Sequence, residues 1–259
     1  MLTLGINAYH GAASAAIFVD GELVAAVEEE RFTRQKHQAG FPGESVRWCL
    51  AEVGASINDV AHAAVSRDPF AHLPRKVAWT LRHRPTRKSI TDRVKNTGSL
   101  RDPGDALAEA TGLDSAKQLK ARLHRVEHHK AHLASALCAS PFDTAACVTL
   151  DGMGDFLSSA WGRGVGGKLD VQGVVAFPDS LGIFYTSFTQ FLGLPSFGDE
   201  YKLMGLAAYG EPTFLPQLRD VLRLGDGMRY ELYLGYFTPH DKGVDMTWAA
   251  GRPALGPVF

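Results

Sequence analysis

LTLGINAYHGAASAAIFVDGELVAAVEEE, Leu2 to Glu30, reads as three strands in a row. LTLGINA alternates apolar and small residues, YHGAAS turns, and AAIFVD returns. Asp20-Gly21 is then the two-residue signal of a tight hairpin ahead of ELVAAVEEE. From about Pro42 the period changes. PGESVRWCLAEVGA sets Val46, Cys49, Leu50 and Val53 at i, i+3, i+4 and i+7, with Pro and Glu in the first turn, and so predicts a helix. DVAHAAVSR predicts a further strand. Strands alternating with helical pattern give an α/β class.

A second block repeats this order roughly 145 residues on. TAACVTLDG is an apolar strand, DGMGD a tight turn, SSAWGRG a return strand, GGK a hairpin turn and LDVQGVVAF a third strand. Residue identity between the blocks is poor, so the repeat is one of architecture. It predicts paired layers with a ligand crevice where the strand-connecting turns face each other. Between the blocks lies a basic excursion at about residues 70–125. Its Pro74–Arg101 stretch carries nine Lys or Arg against one Asp. A solvated helical face, anchored by Val77, Trp79, Leu81, Ile90 and Val94, fits it better than a nucleic-acid surface: one Trp and no RNA-binding motif accompany the charge. GLDSAKQLKARLHRV predicts a helix closing the excursion.

Composition sets the class. The 259 residues hold 27 Lys and Arg against 28 Asp and Glu, so no global field favours nucleic acid. Three cysteines, Cys49, Cys138 and Cys147, include no CxxC pair and fit a reducing compartment. MLTLGINAYHG is not a signal peptide, and no apolar run approaches the roughly 20 residues of a membrane span. The expectation is a soluble, cytoplasmic protein. With no Walker A motif, no GxSxG and no Cys-based zinc signature, P-loop and serine-hydrolase chemistries are set aside.

The chemistry concentrates in VEHHKAHLASAL, Val126 to Leu137. On a helix, His128 and His132 stand at i, i+4, stacked on one face about 6 Å apart at Cβ, a spacing that suits two ligands of one metal ion. His129 points about 100° away and reads as a supporting or substrate-facing group. Asp151, following the strand AACVTL, is the nearest candidate for a third ligand. Two imidazoles and a carboxylate suit Fe(II), Mn(II) or Zn(II). Without a third ligand, such a pair is equally well two capped surface imidazoles.

Three other groups are less specific. His10 lies in the first strand-to-strand turn, which could offer N–H groups to phosphate or be an ordinary polar turn. EEERFTRQKH reads as a solvated, internally paired strand end. Asp199, Glu200 and Lys202 lead into LMGLAAYG, which reads as a binding cleft at the mouth of a buried helix or as an acidic helix start.

Taken together, GINAYHGAASAAIFVDGELVAAVEEERFTRQKH, EHHKAHLASA, LDGMGD and GDEYKLMGLAAYG resemble the N-terminal half of the O-carbamoyltransferases, in order from Leu4 to about Pro257. That family includes the nodulation, cephamycin and tobramycin carbamoyltransferases. The resemblance implies a duplicated actin/hexokinase-type (ASKHA) fold, related to the tRNA threonylcarbamoyladenosine transferase, and incomplete here at its C-terminal side. It implies carbamoyl-adenylate, made from carbamoyl phosphate and ATP in a C-terminal domain, as donor to a hydroxyl of a small-molecule natural product. The implied metal is Fe(II) or a similar divalent ion on His128, His132 and Asp151. A fourth ligand, an aspartate, and the adenylate-forming domain would lie outside this chain and be supplied in cis or in trans.

The same resemblance places His10 and Lys36 at the transfer site and Asp199, Glu200 and Lys202 near the acceptor; His129 is a substrate-binding candidate on its helix position alone. The alternatives are a threonylcarbamoyl transferase acting on tRNA, for which the basic stretch is the one RNA argument, and a non-catalytic nucleotide- or metal-binding module. A sugar or acetate kinase does not need the histidine pair.

Overall fold

The computed structural model describes residues 1–83, 102–194, 196 and 198–237, apart from the side chain of His83. Two compact units divide the chain. The first comprises Met1–Pro69 and Thr91–His128, the second Phe70–Ile90 and His129–Phe259.

The first unit is a five-stranded sheet in the order β3-β2-β1-β4-β5. Its strands are β1 (Leu2–Asn7), β2 (Ser14–Val19), β3 (Glu22–Glu28), β4 (Val60–Val65) and β5 (Arg122–Arg125). The first three form an antiparallel meander, and β4 and β5 add in parallel beside β1. The β2–β3 hairpin turns on Asp20 (φ 53°) and Gly21 (φ 91°), the left-handed pair of a type I′ turn. Its helices are α1 (Glu30–Thr33), α2 (Gly43–Glu52) and, from the returning segment, Pro103–Ala110. The expected stripe of α2 is buried: Val46, Cys49 and Leu50 join Leu4, Ile6, Ile17, Val60, Val65 and Leu107 in one core, with Val53 packed at its margin.

Glu29 corrects the reading of EEERFTRQKH as a solvated strand end. It is 4% exposed, and its carboxylate accepts from the backbone N–H of Glu44 (3.0 Å) and of Ser45 (2.8 Å), and from Ser45 Oγ (2.6 Å). The residue preceding α2 is Pro42, which makes no side-chain cap. Glu29 therefore takes up, from a distant point in the chain, donors that a helix's first turn leaves unsatisfied.

The second unit contains a second antiparallel meander, β6 (Thr144–Gly154), β7 (Leu157–Val165) and β8 (Lys168–Ala176), in the order β6-β7-β8. Gly166 (φ 54°) and Gly167 (φ 74°) form its second turn, the counterpart of Asp20-Gly21. The architectural repeat of strand, turn, strand, hairpin and strand is thus present in both units.

The expected turn at DGMGD is displaced. β6 runs on through Gly154 with a break in register between Leu150 and Gly154, and the tight turn is Asp155-Phe156, both at positive φ. The GLDSAKQLKARLHRV stretch is not a helix either. Ala116–Gln118 is a single 3-10 turn and Arg122–Arg125 pairs with β4, so sheet pairing overrides the helical pattern there.

The second unit also holds α3 (Leu73–His83); with the Pro103–Ala110 helix numbered α4, its remaining helices are α5 (His128–Cys138, which opens at the boundary between the units), α6 (Leu181–Phe191), α7 (Glu200–Ala207) and α8 (Leu215–Val221). Among the described residues it also has a short hairpin, β9 (Leu222–Leu224) with β10 (Tyr230–Leu232). Of the anchors expected in the basic stretch, Trp79 is buried against Phe156 and Phe177, whereas Val77 and Leu81 are exposed. Ile90 and Val94 lie outside the described residues, as does most of the basic run. The mixed α/β class holds, and no helix among the described residues is long and apolar enough to cross a membrane.

Candidate metal centre

Helix α5 sorts its histidines by face. His129, Leu133 and Leu137, spaced by four, are all 5% exposed or less and form the inner stripe. Leu133 and Leu137 pack with Cys147 and Ala160 of the sheet. The contact is close enough that a Cβ on Gly164 would stand 2.2 Å from Leu137 Cδ1, so this glycine sets how near the helix lies. With that stripe turned inward, His128 and His132 share a neighbouring face. His128 is buried and His132 half exposed.

His129 does not face solvent, as a supporting group of the centre would not. It is fully buried with Nδ1 3.4 Å from Thr149 Oγ1, and it fixes the helix on β6.

Alternation along β6 supplies the third group. Cys147 and Thr149 point inward and Val148 and Leu150 outward, so Asp151 falls on the same side as Thr149. Its two carboxylate oxygens have different surroundings. Oδ1 accepts from the Gly152 N–H at 2.6 Å, and Oδ2 lies 3.8 Å from His132 Nε2. One ligand atom from each of His128, His132 and Asp151 falls within 4.8 Å of the others.

That donor set fits a divalent transition metal. Bonds of about 2.0–2.2 Å place two ligands of one ion roughly 3–4 Å apart. Closing the triad therefore takes small rotations of His132 and Asp151, both partly exposed.

The remaining sequence candidates lie on other elements. His10 sits in the 8–13 turn, which is held by Tyr9 N–H to Gly40 O (2.8 Å) and Ala13 N–H to Gln38 O (2.9 Å). Its ring centroid is 4.6 Å from that of His128. Lys36 is exposed on the loop after α1. Asp199 is buried and ion-paired with Lys202 at 2.6 Å. The Lys202 ammonium holds the Asp199 carboxyl below the usual carboxylate range, and that carboxylate in turn holds Lys202 up. Glu200 accepts from Thr186. These three side chains thus have partners within the unit, as an acidic helix start would. The apolar run behind them is not the buried helix expected: Met204, Leu206 and Tyr209 are exposed. Ser180 and Gly182, at the start of α6, contact the backbone of Asp151–Gly152 and were not singled out by the sequence.

Comparison with known proteins names one family for nearly the whole chain. A family model described as "Carbamoyltransferase N-terminus" matches residues 2–249. The nodulation protein NolNO of Sinorhizobium fredii is 32% identical over 243 residues, covering 90% of this chain and 33% of that protein. The uncharacterized protein sll1178 of Synechocystis sp. is 37% identical, covering 94% of this chain and 40% of that protein. The chain thus spans between a third and two fifths of the length of these curated relatives. Among solved structures, YeaZ from Pseudomonas aeruginosa aligns over 68% of this chain and 66% of its own at 16% identity, with a TM-score of 0.36, too low to carry an argument. A match over nearly all of the sequence is decisive where the structural likeness is not: this chain belongs to the carbamoyltransferase N-terminal family.

Proposed function

We propose that this chain is the transfer part of an O-carbamoyltransferase, which moves a carbamoyl group from carbamoyl-adenylate to a hydroxyl of a small-molecule natural product. The observation that carries this reading is the convergence of His128, His132 and Asp151 in a chain of this family. The near balance of 27 Lys and Arg against 28 Asp and Glu favours a small-molecule acceptor over a nucleic acid. We further propose that the two meanders are the paired halves of an actin/hexokinase-type fold, supported by their common strand order and their matching second turns.

His128, His132 and Asp151 would hold Fe(II) or a similar ion. When bound, such an ion acts as a Lewis acid toward the oxygens of a mixed anhydride. The chain's own residues do the rest. The acceptor oxygen attacks the carbamoyl carbon, the bond from that carbon to the phosphate oxygen breaks, and AMP leaves. The hydroxyl proton needs an acceptor, and His10 would take it, a role supported by its ring lying beside that of His128 on a turn held by backbone bonds. Lys36 would answer negative charge developing on the anhydride oxygens. ATP and carbamoyl phosphate would enter through the adenylate-forming part of the complete enzyme.

The test supplies carbamoyl-adenylate in trans, from the isolated adenylate-forming part of a relative with ATP and carbamoyl phosphate, to the Fe(II)-loaded chain with a panel of oligosaccharide and aminosugar acceptors. An acceptor gaining one carbamoyl group, with the gain lost in His132→Ala and Asp151→Ala, is the expected result. Transfer undiminished in both variants would sink the reading.

A further inference from the structure

The break in β6 leaves Asp151 without a regular ladder to hold it. Pairing with β7 lapses between Leu150 and Gly154, the stretch that must present the carboxylate. The start of α6 takes over that task. Ser180 is fully buried, and its hydroxyl lies 2.6 Å from Gly152 O and 3.1 Å from Asp151 O while accepting the Ile183 N–H at 3.0 Å. One hydroxyl proton thus serves two neighbouring carbonyls, and the same oxygen caps the helix. Two residues on, Gly182 lies flat against the same peptide. A Cβ there would stand 2.5 Å from Gly152 N, 2.6 Å from Gly152 Cα and 2.7 Å from Asp151 C, all backbone atoms that cannot swing aside. The clamped peptide is the one whose N–H grips Asp151 Oδ1 and leaves Oδ2 toward His132.

We propose that Ser180 and Gly182 are positioning residues of the metal centre. The first turn of α6 fixes the Asp151–Gly152 peptide and so aims one carboxylate oxygen at His132. This rests on reading His128, His132 and Asp151 as ligands. Neither residue touches the ion or the reacting atoms; each acts through Asp151. Second-layer contacts of this kind commonly change metal affinity by about 10–100-fold when removed.

The experiment is a double-mutant cycle on the 259-residue chain, with anaerobic Fe(II) binding measured by calorimetry. Gly182→Ala should weaken binding about 10–100-fold in the wild-type background and less than about twofold in an Asp151→Ala background. Ser180→Ala should follow the same pattern, and Ser180→Thr, which keeps the hydroxyl, should restore most of the affinity. Gly205→Ala, whose Cβ would meet open space, should bind as wild type does. Equal losses in both backgrounds, or no loss, would overturn the proposal. If Gly182→Ala does not fold, the Ser180 series decides.

Metal-free crystal structures of wild type and the Ser180→Ala and Gly182→Ala variants separate this proposal from the metal reading. Should the wild-type chain bind no Fe(II), its three ligands do not suffice without the fourth, and the crystal structures decide the clamp. A longer separation of Asp151 Oδ2 from His132 Nε2 in the variants than in wild type would still uphold the clamp. An unmoved Asp151 would refute it.

Discussion

Replacing Glu29 by alanine removes the acceptor for three donors at the start of α2. Two of these, the N–H and Oγ of Ser45, are buried, and the third, the Glu44 N–H, can reach water once the carboxylate is gone. A buried donor left unsatisfied costs about 1–3 kcal/mol, so two of them set a loss of roughly 3 kcal/mol after relief of the carboxylate's own desolvation. Pro42 has no side chain to compensate. At about 1.4 kcal/mol per factor of ten, this corresponds to roughly 100-fold faster hydrogen exchange of the α2 amides. Exchange followed by mass spectrometry on the peptide spanning Val46–Leu50 reads this directly. Glu29→Gln keeps one acceptor oxygen but turns an NH2 toward Ser45, and should fall between the two. The Glu29 N–H also bonds Ala13 O at 2.8 Å, so the turn bearing His10 should loosen in step. A less than threefold change in Glu29→Ala would refute the claim that this carboxylate caps the helix.

Thiol reactivity should divide three ways by burial. Cys138 is exposed, whereas Cys147 is buried and the Cys49 thiol is pushed up to about 11 by burial, with Glu52 adding to the effect. At pH 8 one equivalent of a maleimide should react quickly with Cys138, and labelling of Cys49 at a similar rate would contradict the packing of α2. The Asp199–Lys202 pair should be bounded on both sides of pH. Asp199 is depressed, so its contribution to stability is present above the unfolded carboxyl value of about 3.9 and fades as pH falls through the lower folded value. Lys202 is raised, so its contribution is full below about 10.4 and fades as pH rises through the higher folded value. Lys202→Met should flatten both limbs of a stability–pH curve; an unchanged acid limb would show that Lys202 does not hold Asp199.

What the sequence discloses depends on whether a feature is local. Asp20-Gly21 and Gly166-Gly167 are legible because a type I′ turn needs two left-handed residues, a demand that selects glycine. Asp155-Phe156 makes the same kind of turn with Phe156 at φ 78°, and a phenylalanine gives no sign of that. The i, i+4 spacing of His128 and His132 is legible for the same local reason, and so is the buried stripe of α2.

Features set by distant contacts are hidden. Arg122–Arg125 becomes a strand because β4 offers it an edge, although RLHR carries no strand pattern of its own. Glu29 looks like one acid among three until α2 brings its N–H groups to it. The grip of Ser180 on Asp151 and Gly152, nearly thirty residues earlier, is a product of folding. The ligand triad lies between these cases. Two members share a helix and are visible in the sequence, while the third stands just past Leu150, where the register of β6 breaks and contacts from the start of α6 take over.

The central claim is that His128, His132 and Asp151 hold one divalent ion, and anaerobic Fe(II) titration of the chain against its His132→Ala variant tests it most directly. Stoichiometric binding by the wild type, lost in the variant while its circular dichroism is unchanged, is the predicted result. Equal binding by both folded proteins would contradict it.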